Sequence, residues 1–243
     1  MTTLRSLIFN AFFFTWTALI LLVHPLLLPL PRRFMQRLIR SWGQSTRAGM
    51  KAILGLGIEI RGLENIPQGQ VIIASKHQSA WDTTAFHQIF DDPAYVLKKE
   101  LLKVPLWGTC AKKCGALIVD RAAGARALKQ MVQDAKAALN RGQTIIIFPE
   151  GTRVPPGEKL TYHPGAAAMY INTGAPVVPV AVNSGLFWGR RSFLKHPGAI
   201  TLEFLPAIEP GLDRRAFMAR LENDVETATA RLEEEARARF PGL

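Results

Sequence analysis

The stretch "VIIASKHQSAWDTTAFHQIF", residues 71–90, decides how the chain is organised. Its opening run of Val, Ile and Ala is too short for a helix and is closed by polar residues, so it reads as a buried strand ending near Ser75. The second half, Thr83 to Phe90, has helical character, and Asp82 is a favoured amino-terminal cap ahead of it. A turn must lie in the polar stretch between. On one continuous helix His77 and Asp82, five positions apart, would subtend roughly 140° and face different ways. With a turn they can meet. A neutral imidazole could then take a proton from a substrate hydroxyl while the carboxylate holds its other N–H. An Asp cap beside a polar surface His explains the same letters, and the pair alone does not choose between the two.

The same alternation continues along the chain. "IEIRG", "VIIAS", "AYVL", "LIVDR", "TIIIFPEG", "VVPVAV" and "ITLEF" are Val- and Ile-rich runs bounded by Gly, Pro or polar residues, which is the pattern of strands. Thr83 to Phe90, Leu101 to Cys114, Gly124 to Asn140 and Gly165 to Asn172 are the helical candidates between them. Strands alternating with helices predict an α/β fold with a mixed, largely parallel sheet flanked by helices. From Arg214 to Arg239, Phe217, Leu221, Val225, Ala228 and Leu232 recur among nearly balanced charges, which predicts a terminal amphipathic helix docked on the domain. No internal repeat or low-complexity linker interrupts the pattern.

The amino terminus differs in kind. "SLIFNAFFFTWTALILLVHPLLLPLP", residues 6–31, contains no Lys, Arg, Asp or Glu. A helix from Leu7 to Val23 would be about 25 Å long, slightly short of the hydrocarbon core. His24-Pro25 interrupts it, and Pro29 and Pro31 prevent a long second helix. The segment either spans with local thinning or bends back as a re-entrant hairpin. No small-residue cleavage site follows it, so it reads as a retained membrane-anchoring segment, not a signal peptide. Arg32, Arg33, Arg37 and Arg40 follow, which places the rest of the chain on the cytoplasmic face. Between Arg33 and Leu54, Phe34, Leu38, Ile39, Trp42, Met50, Ile53 and Leu54 recur near helical spacing among arginines. That pattern suits a helix at the membrane interface and equally a helix packed on the following domain. The expected division is 1–32 membrane anchor, 33–57 amphipathic interfacial helix and 58–243 catalytic domain.

The 243 residues carry a formal net charge of +11, which favours a polyanionic partner: nucleic acid, an anionic membrane surface or a phosphorylated small molecule. No RNA-recognition aromatic motif, helix-turn-helix cue or zinc spacing appears, which argues against nucleic acid. Cys110 and Cys114 are too few for a disulfide framework and lack the second pair of a zinc site, so they read as reduced packing residues. His24, His87, His163 and His196 form no ligand set by spacing, and no metal is expected.

A second candidate site lies in "TIIIFPEGTR", residues 144–153. A buried-type strand breaks at Pro149, Gly151 permits close backbone approach, and Arg153 offers a planar fork matched to phosphate oxygens. Alone, a solvated Glu/Arg turn would explain it as well. Together, His77-Gln78-Ser79-Ala80-Trp81-Asp82 and Phe148-Pro149-Glu150-Gly151-Thr152-Arg153 resemble the first and third motifs of the glycerolipid acyltransferase family, most closely its lysophosphatidic acid acyltransferases. "LKKELLKVPLWG" with "GALIVDR" resembles the second block and "APVVPVAV" the fourth, in family order from Val71 to Val182. The resemblance implies a membrane-bound enzyme that transfers a fatty acyl group to a lysophospholipid acceptor, 1-acyl-glycerol-3-phosphate, giving phosphatidic acid. The donor would be a thioester, acyl-CoA or acyl carrier protein (acyl-ACP), and no cofactor is needed.

It further implies that His77 acts as base and Asp82 orients it. Lys98, Arg121 and Arg153 would help hold the acceptor phosphate, and Glu150, Gly151 and Thr152 would shape that end. Lys99, beside Lys98, could take its place. Lys76 stands where many members have Asn, and His163-Pro164 where a basic residue often precedes the glycine. Direct attack of the acceptor hydroxyl is favoured over a covalent acyl-enzyme on Ser79, which lies between base and orienter. Two other readings keep part of this picture: an acyltransferase for another lysolipid such as lyso-ornithine lipid, and a non-enzymatic basic membrane-tethered binding module.

Overall fold

Ile72, Ile73 and Ala74 are fully shielded from solvent because the run they form becomes a central strand of the sheet. The computed structural model describes residues 1–243. Its strands are β1 (Leu56–Arg61), β2 (Ile72–Ser75), β3 (Pro93–Lys98), β4 (Leu117–Val119), β5 (Thr144–Ile147), β6 (Val177–Val182) and β7 (Gly198–Phe204). They make one seven-stranded sheet in the order β1-β7-β6-β2-β5-β3-β4. Every neighbouring pair is parallel except β6 with β7. The expected mixed, largely parallel α/β sheet is the observed one.

Helices cover both faces, as parallel strands require. They are α1 (Thr2–Val23), α2 (Arg32–Gly49), α3 (Asp82–Ile89), α4 (Trp107–Lys113), α5 (Gly124–Asn140), α6 (Gly165–Thr173), α7 (Ser184–Phe187) and α8 (Arg214–Arg239). Met131, Ala135 and Leu139 of α5, Met169 and Tyr170 of α6, and Phe217, Leu221 and Val225 of α8 pack on one side of the sheet. Phe9 of α1 and Trp81, Ala85 and Phe86 at α3 join the core on the other side.

Two local expectations need correction. The helix expected over Leu101 to Cys114 is split: a 3-10 turn covers Lys99–Lys103 and α4 begins only at Trp107. Pro105 lacks the N–H that a continuous helix would use, and Leu106 takes a positive φ of 63°, which ends one piece and redirects the chain into the next. Asp82 does not cap α3. It is the first helical residue, and its carboxylate points backward to accept the N–H groups of Gln78 and Ser79, each at 2.8 Å.

At the amino terminus α1 starts at Thr2, earlier than expected, and is followed by a 3-10 turn at His24–Leu27 containing Pro25. α2 folds back beside it: the indole N–H of Trp42 donates to Thr17 and that of Trp16 to Ser45, at 3.0 and 3.1 Å. α2 packs on the domain as well. Arg40 donates to the carbonyls of His87 and Phe90, which α3 leaves unpaired at its carboxyl end. Met35 meets Cys110, whose Sγ lies 3.7 Å from the Met35 sulfur, and both cysteines are free and buried. One apolar helical segment, Thr2–Leu27, is long enough to cross a membrane, its most apolar 18 residues having a mean hydropathy of 2.0. It leaves Leu4, Leu7, Ile8, Phe14, Leu19 and Leu22 exposed.

Candidate active site

The candidate side chains collect where parallel α/β sheets place ligand sites, beyond the carboxyl ends of the strands. His77 follows β2, Lys98 ends β3, Arg121 follows β4, and Glu150 to Arg153 follow β5. β2 and β5 are direct neighbours, so the two polar turns that leave them are forced together. The backbone makes the clasp explicit. The N–H of Val154 donates to the His77 carbonyl at 2.7 Å, and the His77 N–H donates to Glu150 Oε2 at 3.0 Å.

His77 and Asp82 meet. His77 Nδ1 lies 2.9 Å from Asp82 Oδ2, the oxygen that also takes the Gln78 and Ser79 N–H groups. Asp82 Oδ1 accepts the Ser184 hydroxyl at 2.6 Å. A buried carboxylate held by four donors is fixed in position and satisfied. It holds the proton of His77 on Nδ1, leaving the Nε2 lone pair for a reaction partner. The imidazole stacks on Phe148 with ring centroids 4.0 Å apart, which removes its remaining freedom of rotation. Ser79 is buried and its hydroxyl accepts the Trp81 N–H, so it serves the turn and is not presented as a nucleophile.

His77 lines a cavity of about 770 Å³ whose walls divide by chemistry. Val96, Leu101, Trp107, Leu128, Met131 and Ile147 supply an apolar wall, while Lys98, Arg121, Arg153 and His163 supply a basic rim. Lys98 faces this cavity, whereas Lys99 is exposed and paired with Asp120 at 2.7 Å. Arg121 passes so close to Gly151 that an added Cβ there would sit 2.2 Å from a guanidinium nitrogen, and Gly151 has a φ of +64°. Only glycine satisfies both demands. Burial, and then the neighbouring Arg121 and Lys98, hold the His163 pKa below its ordinary value. Burial lowers that of Arg121, against the pull of Glu100. Burial lowers that of Arg153 too, reinforced by Arg190 and Arg191 and opposed by Asp82. Guanidinium groups stay charged regardless, so these are partly desolvated cations, Arg153 also repelled by Arg190 and Arg191, and a bound anion would relieve both costs. A larger recess of about 910 Å³ lies between the two chain ends and the edge at β1. It touches neither His77 nor Asp82, so chemistry and not size identifies the site.

The structure thus brings His77, Asp82, Lys98, Arg121, Gly151, Thr152 and Arg153 to one place and sets Glu150 apart. The Glu150 side chain is fully buried behind the turn, 2.6 Å from the Lys76 ammonium, and does not line the cavity. Burial pushes its pKa up to about 7, against the pull of Lys76. His87 is a packing residue: it stacks on Tyr95, and burial lowers its pKa to about 3. Sequence reasoning missed Ser184, although a polar residue just past β6, the other neighbour of β2, is a signal of the kind that found His77. It also missed Gln78, Glu226 and Glu233, whose roles no local pattern announces.

The chain is similar to known proteins. Residues 57–183 match the acyltransferase family. The chain is 35% identical over 207 residues to a 1-acyl-sn-glycerol-3-phosphate acyltransferase of Pseudomonas aeruginosa, covering 85% of this chain and 80% of that one. It is 30% identical over 192 residues to the enzyme of the same name from Limnanthes alba, covering 77% and 66%. Its fold superposes on the crystal structure of the 1-acyl-sn-glycerophosphate (LPA) acyltransferase of Thermotoga maritima with a TM-score of 0.78, covering 99% of both chains at 22% identity. A relative this similar over most of both lengths, and a family match spanning both polar turns and the sheet between them, make this chain a member of the acyltransferase family.

Proposed function

We propose that the protein transfers a fatty acyl group from a thioester, acyl-CoA or acyl-ACP, to the free hydroxyl of 1-acyl-glycerol-3-phosphate, giving phosphatidic acid. The observation that carries this reading is the 2.9 Å His77–Asp82 contact at the mouth of a cavity with an apolar wall and an unpaired cationic rim. The names of the relatives point to the same acceptor. His77 Nε2 takes the hydroxyl proton as the acceptor oxygen attacks the thioester carbonyl. Asp82 stabilises the imidazolium that forms. The tetrahedral intermediate collapses, the carbon–sulfur bond breaks, and the departing sulfur recovers the proton from His77. The products are an ester and a free thiol. Arg121, Arg153 and Lys98 hold the acceptor phosphate, Gly151 and Thr152 shape the wall around it, and the fatty chain lies along the apolar wall.

The reading extends to the membrane. Ser6 and Asn10, near one end of α1, bond to Lys195 and Phe193, and His24, just past its other end, lies 2.8 Å from the Thr109 hydroxyl. A helix tied at both ends to one domain cannot cross a bilayer while that domain stays on one side. α1 therefore lies in one leaflet on its exposed apolar face, as a re-entrant anchor, with residues 58–243 on the cytoplasmic face and residues 33–57 joining the two. The acceptor, whose acyl chain stays in the bilayer, then meets His77 without full extraction. Acyl transfer by the purified protein, with both thioester donors against a panel of lysolipids, tests the reading. Lysophosphatidate should be the preferred acceptor and His77→Ala should be inactive. Preference for a phosphate-free acceptor such as lyso-ornithine lipid would replace it.

A further inference from the structure

The two residues that flank His77 are both buried, and both reach the same helix. Lys76, 1% exposed, sets its ammonium against both carboxylate oxygens of Glu226 at 2.9 and 3.1 Å. Gln78, fully buried, donates to Glu233 at 2.7 Å and accepts the Gly185 N–H. Glu226 and Glu233 are two helical turns apart on α8 and so share one face. The ends of this ladder are tied down: the Tyr162 hydroxyl donates to Glu226 at 2.9 Å, and Arg237 pairs with Glu233 at 3.3 Å.

Lys76 does a second thing. Its ammonium lies 2.6 Å from Glu150 Oε1, while the other oxygen of Glu150 accepts the N–H of His77 itself. A buried carboxylate stays ionised only where a cation or several donors replace its lost hydration. Asp82 has four donors, whereas Glu150 has one N–H and Lys76, and an ionised acceptor grips an N–H about twice as firmly as a neutral one. Lys76 is the cation that supports this grip. It stands between two carboxylates, which leaves the cluster with one negative charge in excess.

We propose that Lys76 and Glu226 are positioning residues for the transfer reaction: α8, through Glu226, fixes Lys76, and Lys76 keeps Glu150 in the ionised form that holds the His77 backbone and aims its imidazole. The inference rests on the reading of His77 as the base. It gives α8 a function beyond core packing, since the helix contacts both neighbours of the base. Glu150 is faced by Lys76 from the end of β2, by Glu226 from α8 and by Tyr162 from the segment before α6. Burial lifts the Glu150 pKa to about 7, so a change of charge beside it alters its protonation near neutral pH.

The test is the pH dependence of kcat for Glu226→Gln, Lys76→Met and the double variant Lys76→Met/Glu150→Gln, with KM for each substrate and thermal unfolding measured alongside. Removing the cation should protonate Glu150, lower kcat roughly tenfold to a hundredfold through misplacement of the base, and leave both KM values near their starting points. The acid limb of the profile should move to higher pH. Adding Glu150→Gln supplies an acceptor that needs no cation, and should return the limb and part of kcat. Glu226→Gln takes from Lys76 its second carboxylate partner, so kcat should fall with both KM values unchanged. The substitution also removes a repelling charge from Glu150, so the acid limb should move to lower pH. It changes few atoms and carries the test if Lys76→Met fails to fold. A folded Lys76→Met with an unchanged profile, or a Glu226→Gln whose limb stays in place, would overturn the proposal. His77→Ala is run beside them. If it remains active, the base assignment itself fails; if it is inactive while the other profiles are unmoved, only this inference does.

Discussion

The turn after β2 and the rim after β3, β4 and β5 are built on opposite principles. In the turn, Asp82 is satisfied by Gln78, Ser79, His77 and Ser184, and the His77 backbone is held at both its N–H and its carbonyl. In the rim, Lys98, Arg121 and Arg153 line the cavity and none is within ion-pair distance of a carboxylate. On the proposed function, folding has already met the cost of orienting the base, which is what proton transfer needs. The rim keeps its electrostatic demand open, which is what capture of an anion needs. The two regions should therefore fail differently: damage to the turn should appear in kcat, damage to the rim in KM.

The largest effect tests the turn. His77→Ala should lower turnover roughly a hundredfold to ten-thousandfold, the range that general-base help supplies, with membrane association unchanged. Steady-state kinetics on vesicle-bound enzyme measures it, and activity near the starting level would remove the base from the mechanism. Asp82→Asn comes next. Its amide oxygen can still accept the Gln78 and Ser79 N–H groups, so the turn survives, but the charge that stabilises the imidazolium is gone. Turnover should fall about a hundredfold with KM within about twofold. A rise in KM at constant kcat would move Asp82 into the rim's class.

Arg153→Ala tests the other side. Losing a charge-assisted fork to phosphate should raise KM for lysophosphatidate roughly tenfold to a hundredfold. Turnover at saturation should stay nearly unchanged. A KM effect that is equally large for an acceptor without phosphate would break the distinction between turn and rim.

What was legible in the sequence follows the same division. The strands could be read because burial on both faces demands continuous Val and Ile, as in "VVPVAV", all of which is buried in β6. The His77–Asp82 meeting could be read because five residues cannot juxtapose two side chains on a helix but can across a turn. The direction of the Asp82 carboxylate could not, since a residue that caps its own helix and one that closes the preceding turn are written with the same letter. Glu226 and Glu233 were hidden for a related reason. In "LENDVETATARLEEEAR" they sit among charges that look like a solvated face, and only the docking of α8 beside the end of β2 supplies the buried Lys76 and Gln78 opposite them. The break at Pro105 was legible and was overridden by the helical run on either side of it.

The finest test of the comparison lies in two adjacent lysines. Lys98 ends β3, half-buried and lining the cavity; Lys99 begins the next turn, exposed and held by Asp120. Alternation along the strand sends the two side chains apart, so identical chemistry meets opposite circumstances. A lysine is a single point charge without the fork of an arginine, so Lys98→Ala should raise KM for lysophosphatidate only roughly threefold to tenfold. That rise should shrink as salt is added, because the rim is open to screening. Lys99→Ala should leave both constants where they were, its charge being already spent on Asp120. Equal effects at the two positions would mean that the acceptor senses only the summed field of the basic face, and the separation between a prepaid turn and an unpaid rim would have to be redrawn around net charge.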